Sequence, residues 1–576
     1  MAAITHFPTN AKELRLTGWD QCDIILISGD AYVDHPSFGT AIIARMLESN
    51  GYKIGIIPQP NWQDDLRDFK KLGKPRLFFG VSAGNMDSMV NHYTAQKRLR
   101  SDDAYTPGDK AGYRPDYAVT IYTKILKSIF PETAVVIGGI EASLRRIVHY
   151  DYWSDKLKRS VLYDSGADFL VYGMSEKAIC ELAGKMSDNA SGEELRTIPQ
   201  TCFISSEKLN NKLFCDYVIL DSFNECNNSG RTFARMFRVF EEESSKGQQN
   251  GFIQMQDDGK YLVINPPSPL PTTEELDAIY NLPYSYEPHP RYRNKGVIPA
   301  YEMIKNSVTI HRGCFGGCSF CALTVHQGRH IASRSVKSIS DEVEKLCSKP
   351  WFRGHISDLG GPSANMYAMI PYNLKICAEC KRPSCIFPSV CKNLNDNPQP
   401  LTKLYRAIMK IQGIKKISIG SGIRYDVNLN KKSTYISEHK EYIQQLFKNH
   451  ISGYLKVAPE HSEDHVLKEM RKPAFSLFCD FKDLYDSFNR KNNKKQFVVP
   501  YIISGHPGCT MQDMKNLKIK LNRLKLNPEQ VQDFMPTPMT LSSVIFFTGI
   551  NPYNDTKVFS EKRLELKKEQ KNVFFK

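Results

Sequence analysis

Residues 314–321 read CFGGCSFC and set Cys314, Cys318 and Cys321 at a Cys-x3-Cys-x2-Cys spacing. Three thiolates can hold three irons of a cubane cluster and leave the fourth iron with an open coordination position. Structural zinc wants four protein ligands, so a lone set of three argues against it. Gly316 and Gly317 allow the tight backbone curl that brings three sulfurs to one point, and Phe320 stands beside the third cysteine. The chemistry predicted is that of a metal centre with a vacant corner, where a substrate or cofactor docks.

A second group, Cys377, Cys380, Cys385 and Cys391, lies in CAECKRPSCIFPSVC at 377–391. Four thiols so close can complete a tetrahedral zinc site or hold an auxiliary iron–sulfur cluster. The alternative is reduced cysteines in a buried loop, which would be an oxidation liability. The spacing hardly decides between zinc and iron; a structural metal is favoured because nothing nearby reads as catalytic. Cys347, on a helix face, reads as a core residue. The chain has 15 cysteines, and seven of them fall in these two groups. The start, MAAITHFPTNAKELR, lacks the layout of a secretory signal. No apolar run approaches the roughly 18 residues that span a bilayer. A cytoplasmic location is expected, with no membrane partner and few disulfides.

Those residues need elements to position them. CDIILIS (22–28), KIGIIPQ (53–59), RLFFGVSA (76–83), AVVIGGIEA (134–142) and DFLVYGMSE (168–176) are continuous apolar runs of strands covered on both faces. FGTAIIARMLESNG after the first run fits one helix face and ends at Gly51. An α/β class follows, with a Rossmann-like, doubly wound N-terminal domain over 1–185 whose ligands would sit at the strand carboxyl ends. Gly80, Ser82, Gly138 and Gly139 lie at such ends, where glycine serves tight packing equally well. Residues 186–295 are rich in Ser, Asn and Pro and read as an irregular connecting region, with the boundary near 290–300. From 306 a second alternation begins: NSVTIHRGC, GHISDLGG, KKISIGSG, GYLKVAPE, FVVPYIISG and VQDFMPT are strand candidates separated by amphipathic segments such as SDEVEKLCS, with Ser340 as its cap. The pattern predicts a βα barrel, open or closed, over 296–545, followed by a basic tail at 546–576.

CFGGCSFC, with an aromatic residue before its last cysteine, resembles the hallmark of the radical S-adenosylmethionine (SAM) superfamily. The resemblance covers most of 300–545 and implies a partial (βα)6 barrel. SDLGGPSANMY (357–367) is similar to the second-strand motif that meets the SAM amino group; Pro362 replaces the usual Glu, so the contact would fall on backbone carbonyls around Gly360 and Gly361. SIGSGIRYD (418–426), with Ser421 and Arg424, resembles the third strand. LKVAPEHSEDHVLKEMRKP (455–473) resembles the fourth, where a polar strand-end residue, here Glu460, reaches SAM. YIISGHPGC (501–509), with Gly505, is similar to the segment that passes the adenine. Arg424 beside Asp426 binds the SAM carboxylate or forms a salt bridge in the barrel mouth. Glu460 contacts the cofactor or caps the helix that follows. His506 is a turn histidine or faces the cavity, and Met535, Pro536 and Pro538 line the substrate side.

The whole chain resembles the YgiQ-type radical SAM proteins. Its N-terminal domain, with VVIGGIEAS and GADFLVYGMSE, also resembles the cobalamin-binding domain of many radical SAM enzymes. The ligating Asp-x-His-x-x-Gly is absent, since DAYVDHPSFG puts Asp34 directly beside His35 and Gly39 four residues on, so cobalamin is not expected. What the resemblance implies is an enzyme that binds a [4Fe-4S] cluster on Cys314, Cys318 and Cys321. Fed by a low-potential donor of flavodoxin or ferredoxin type, it would cleave SAM reductively to methionine and a 5′-deoxyadenosyl radical, which abstracts hydrogen from a substrate.

The net charge is +15, and residues 401–576 hold 31 Lys and Arg against 17 Asp and Glu. That bias suits RNA contact, or a solvated Lys- and Asn-rich helical face. The rival readings are a methylthiotransferase-like modifier of RNA or protein, a dinucleotide- or corrinoid-binding module whose cluster only relays electrons, and a non-catalytic zinc-stabilised binding protein.

Overall fold

The structure is a computed structural model describing residues 5–207, 216–528 and 530–575. It comprises two compact units: Met1–Met236 with Gln249–Pro269 and Ala278–Lys305, and Phe237–Gln248 with Leu270–Asp277 and Asn306–Lys576.

In the first unit the five apolar runs form five parallel strands, in spatial order Ile54–Pro58, Ile24–Ser28, Phe78–Ser82, Ala134–Gly138 and Phe169–Val171. Almost every residue in them is buried, as strands covered on both faces require. Amphipathic helices at Gly39–Ser49, Ala118–Ile129 and Glu176–Ser187 supply cover. Gly139 packs against Ser82, where a Cβ would stand 2.6 Å from its hydroxyl. Polar groups fill the carboxyl ends: buried Arg114 pairs with Asp30 and Asp103, both at 3.0 Å, and buried Arg145 pairs with Asp87 at 2.9 Å and Asp151 at 3.2 Å.

The sheet does not stop at residue 185. Thr201–Ser205, Tyr217–Leu220, Gly251–Asp257 and Lys260–Ile264 extend it to nine strands. The stretch expected to be an irregular connector is therefore largely structured, apart from residues 208–215, which lie outside the described residues. One of its strands, Gly251–Asp257, was masked by buried glutamines. Gln254 accepts from the Val148 N–H at 3.0 Å and Gln256 from the Ser160 N–H at 2.7 Å, and that pairing makes polar strand residues tolerable in a core.

In the second unit each of the six strand candidates contains a strand, shorter than its sequence run. Ser307–Thr309 runs parallel to Asp358–Gly360, His355–Ile356 to Lys416–Ile417, and Tyr454–Glu460 to Phe497–Ser504 and then Val531–Asp533. Between them lie helices Val336–Cys347, Gln399–Ile408, Ile436–Asn449, Phe475–Lys491 and Met511–Arg523. The first of these starts four residues ahead of the predicted cap: Ser335, not Ser340, receives the Ser338 N–H at 3.1 Å. The stretch from 546 is also more than a basic tail. It holds the end of helix Leu541–Thr548, a hairpin at Ile550–Asn551 and Thr556–Lys557, and helix Leu564–Asn572. Lys567 on that last helix is fully buried and donates to the Phe534 carbonyl at 3.0 Å. Its ammonium lies 5.3 Å from the Phe546 ring centre, so a residue read as solvated is held in the interior instead. Among the described residues no helix is long and apolar enough to cross a membrane.

Candidate functional site

The cysteine loop follows the short strand His311–Arg312 and is gripped from three sides. The Cys314 N–H donates to the Gly328 carbonyl at 3.1 Å, and the Cys321 N–H to the Cys318 carbonyl at 3.1 Å. Ser319, between the second and third cysteines, donates its N–H to the Met470 carbonyl at 3.2 Å and its hydroxyl to the Glu469 carbonyl at 2.6 Å. Its own carbonyl accepts from the Ser542 N–H at 2.9 Å. The Ser542 hydroxyl also sits 2.8 Å from that of Ser319 and 2.7 Å from His506 Nε2. His506 Nδ1 lies 2.8 Å from the Pro507 carbonyl, so the ring is held at both nitrogens. His506 is thus a buried strut under the cysteine loop, with the Phe320 ring edge-on at 6.0 Å. Sequence spacing gave no sign of this link, because Ser319, His506 and Ser542 are far apart along the chain.

Arg424 forms the salt bridge to Asp426 and also reaches a cysteine. Its Nε and Nη2 hold Asp426 at 3.0 and 2.5 Å, and its Nη1 donates to Cys318 Sγ at 3.3 Å. Gly316 makes room for this: a Cβ there would stand 2.8 Å from Arg424 Nη1 and 3.3 Å from Cys314 Sγ. Burial works against the Asp426 charge, yet the Arg424 guanidinium holds that carboxyl below its usual range. Burial, with the neighbouring sulfurs, pushes the Cys321 thiol up to about 12 and raises that of Cys314. These thiols would therefore be protonated without a metal, and metal binding would release the protons.

Glu460 does not cap the following helix, whose N-cap is Glu463 without a side-chain bond. It is buried, its carboxylate lies 3.5 Å from Lys472 Nζ, and burial raises its pKa. Its φ of +67° is unusual for a residue with a side chain, a strain often retained at functional positions. Ser421 and Gly360 meet directly: the Ser421 hydroxyl donates to Asp358 at 3.0 Å, and a Cβ on Gly360 would be 2.3 Å from that hydroxyl. Gly361 lies under the His311 ring, with a Cβ there only 2.5 Å from it. His311 is fully buried, burial lowers its pKa to about 3, and neither ring nitrogen has a hydrogen-bond partner among the described residues. Sequence reading missed this residue, although it stands in the HRGC run. Gly505 is engaged elsewhere: its N–H donates to Gln570 at 3.0 Å.

The second cysteine group adjoins the first loop. The Cys385 N–H donates to the Phe315 carbonyl at 3.0 Å, and the Ser384 hydroxyl to the Gly316 carbonyl at 2.7 Å. Cys314, Cys385 and Cys391 pack on one apolar cluster that includes Phe315, Met366 and Ile386. Cys385 lies within electrostatic reach of Cys377, Cys380 and Cys391, and Cys377, Cys380 and Cys385 lie within reach of Arg329. Arg329 is buried and donates to the carbonyls of Arg382 and Cys380. Burial lifts Cys385 to about 11, whereas the Arg382 N–H and Arg329 lower Cys380 against the effect of its own burial.

Among the described residues no three Cys, His, Asp or Glu side chains converge tightly enough for a single metal ion. A cubane spreads its thiolates over separate irons and needs no such point. Three mutually near sulfurs with a guanidinium against one of them are a donor set that fits an iron–sulfur cluster.

Residues 6–307 match the family model described as radical SAM N-terminal. A UPF0313 protein of Bacteroides thetaiotaomicron is 52% identical over 99% of this chain and 93% of its own length. One from Porphyromonas gingivalis is 49% identical over 99% and 90%, and one from Rhodopseudomonas palustris 45% over 95% and 82%. The chain belongs to the UPF0313 family of radical SAM proteins. Two solved structures are also similar: the radical SAM methyltransferase TsrM of Kitasatospora setae with cobalamin and [4Fe-4S] bound (TM-score 0.47, 14% identical, 90% of this chain and 74% of that one), and the cobalamin-dependent radical enzyme OxsB (0.48, 11%, 92% and 56%). Their ligands are properties of those proteins.

Proposed function

We propose that this chain is an enzyme that cleaves SAM reductively at a [4Fe-4S] cluster held by Cys314, Cys318 and Cys321, inside a partial βα barrel built from the parallel strands of the second unit. The observation that carries this is the Arg424 guanidinium set against Cys318 beside Cys314, in a chain of a radical SAM family. When bound, the cluster supplies an electron to the SAM sulfonium, and the radical chemistry belongs to that cofactor pair.

The chain's own residues do the rest. Arg424 offsets part of the negative charge of the thiolates and is kept in place by Asp426. His311, neutral because buried, offers a ring N–H beside the Gly360–Gly361 backbone. Glu460, paired with Lys472, presents a carboxylate at a strand end for the cofactor's amine or hydroxyls. Ser319, Ser542 and His506 fix the loop, and Phe320 screens it from water. The electron would come from a low-potential flavodoxin- or ferredoxin-type donor. Anaerobically reconstituted protein is expected to bind about four irons per first site and to form 5′-deoxyadenosine from SAM and dithionite. Iron-loaded protein that makes none would remove this reading.

The second cysteine group would hold a further metal. Four clustered thiols, three of them within electrostatic reach of buried Arg329, support this, whether the metal is zinc or an iron–sulfur cluster. A second cluster beside the first favours a methylthiotransferase-like modifier as the second reading. Replacing Cys377 and Cys380 together by Ser should remove the second metal from elemental analysis and lower the melting temperature, while 5′-deoxyadenosine formation persists. An unchanged metal count would show that the group holds none.

The Asp34–His35 pair would offer cobalamin no free ligand. His35 is buried and accepts the Ser37 N–H at 3.0 Å, with the Tyr286 ring across it at 5.2 Å. Asp34 is taken by Arg45 at 3.2 and 2.5 Å.

A further inference from the structure

We propose that the first unit carries an anion pocket at the carboxyl end of its edge strand, built for a small phosphorylated metabolite of the mononucleotide class. A cavity of about 360 Å³ opens after strand Ile54–Pro58, bounded by Gln59, Lys110, Tyr113, Arg291, Tyr292 and Lys295. That volume lies within the range of small-molecule sites, and the carboxyl end of a parallel strand is where α/β sheets take ligands.

The walls are built rather than incidental. Gln59 has φ +46°, with its N–H held by the Ser28 carbonyl at 2.7 Å and its amide donating to the Thr106 hydroxyl at 2.7 Å. The two loops that carry the cations are pinned together: the Gly108 N–H donates to the Val297 carbonyl at 2.7 Å, and a Cβ on Gly296 would stand 2.9 Å from Gly108 Cα. Any larger residue at 296 would push the loops apart.

The charge facing the cavity is of one sign. Lys110, Arg291 and Lys295 line it with no carboxylate among the lining residues, and none of the three has an ion pair among the described residues. Asp68 lies within electrostatic reach of Arg291, but it is already committed to Lys71 at 3.2 Å and to the Asn61 N–H at 2.9 Å. Three unpaired cations on one concavity match the two or three charges of a phosphate or diphosphate group. Inorganic phosphate would leave most of the space empty. Tyr113, 48% exposed, offers a ring face for a flat base.

The test is calorimetric titration of the full-length protein with ADP and with AMP, at low and at physiological salt. Wild type is expected to bind saturably, with affinity falling as salt rises. Lys295→Glu and Arg291→Gln should each weaken binding by about tenfold or more, the loss of one charge-assisted contact, with unchanged melting temperature and 5′-deoxyadenosine formation. Cys314→Ala should bind ADP as wild type does. The proposal is overturned if ADP and AMP give no saturable heat, if both variants bind as well as wild type, if Cys314→Ala abolishes binding and so places it at the SAM site, or if only an RNA oligonucleotide binds.

Discussion

Cys314→Ala, purified and reconstituted without oxygen, forms no 5′-deoxyadenosine from SAM and dithionite, while its melting temperature stays close to that of wild-type protein. The expected loss is complete, because two thiolates cannot hold the cubane in register and the electron then has no route to the sulfonium. The fold should survive for a local reason. The loop is pinned by Ser319 to Met470, Glu469 and Ser542, and by Cys385 to Phe315, none of which uses the Cys314 sulfur. Truncating a thiol beside an apolar cluster removes little buried surface. Full turnover in this variant would mean the reaction centre lies elsewhere. A chain that unfolds would instead show the loop to be a structural keystone.

Arg424→Met has the second-largest expected effect. It leaves Asp426 buried and unpaired, and removing one partner of such a pair costs about 3–5 kcal/mol. Adding Asp426→Leu should recover most of that stability, since a buried pair replaced by apolar residues is often neutral. Turnover is the discriminating readout. If Arg424 serves only as a salt bridge, the double variant regains wild-type rates. If it also balances charge at Cys318, turnover in the double variant stays about tenfold to a hundredfold low, the worth of a charge-assisted contact. Urea unfolding and SAM cleavage on the same samples separate the two.

Much of this was legible in the chain itself. The parallel strands announced themselves because strands buried on both faces are apolar at every position, as in Ile24–Ser28. The three cysteines stood out because the metal ligation proposed for them would fix both residue type and spacing. Gly251–Asp257 was not legible, since buried Gln254 and Gln256 interrupt the apolar run that betrays a strand. Ser340 was misread as a cap because several serines cluster there, and only the backbone shows that Ser335 takes the bond. His311 and the Ser319–Ser542–His506 chain were out of reach for another reason. Their roles depend on contacts across up to 223 residues, which local patterns cannot encode.

The helix Leu564–Asn572 reaches back to the strand end at Gly505 through Gln570, and to Cys509 beyond it. During synthesis the cysteine loop leaves the ribosome long before this helix does. The strand ends at Gly505 and Phe534 therefore gain these partners only after this helix has been made.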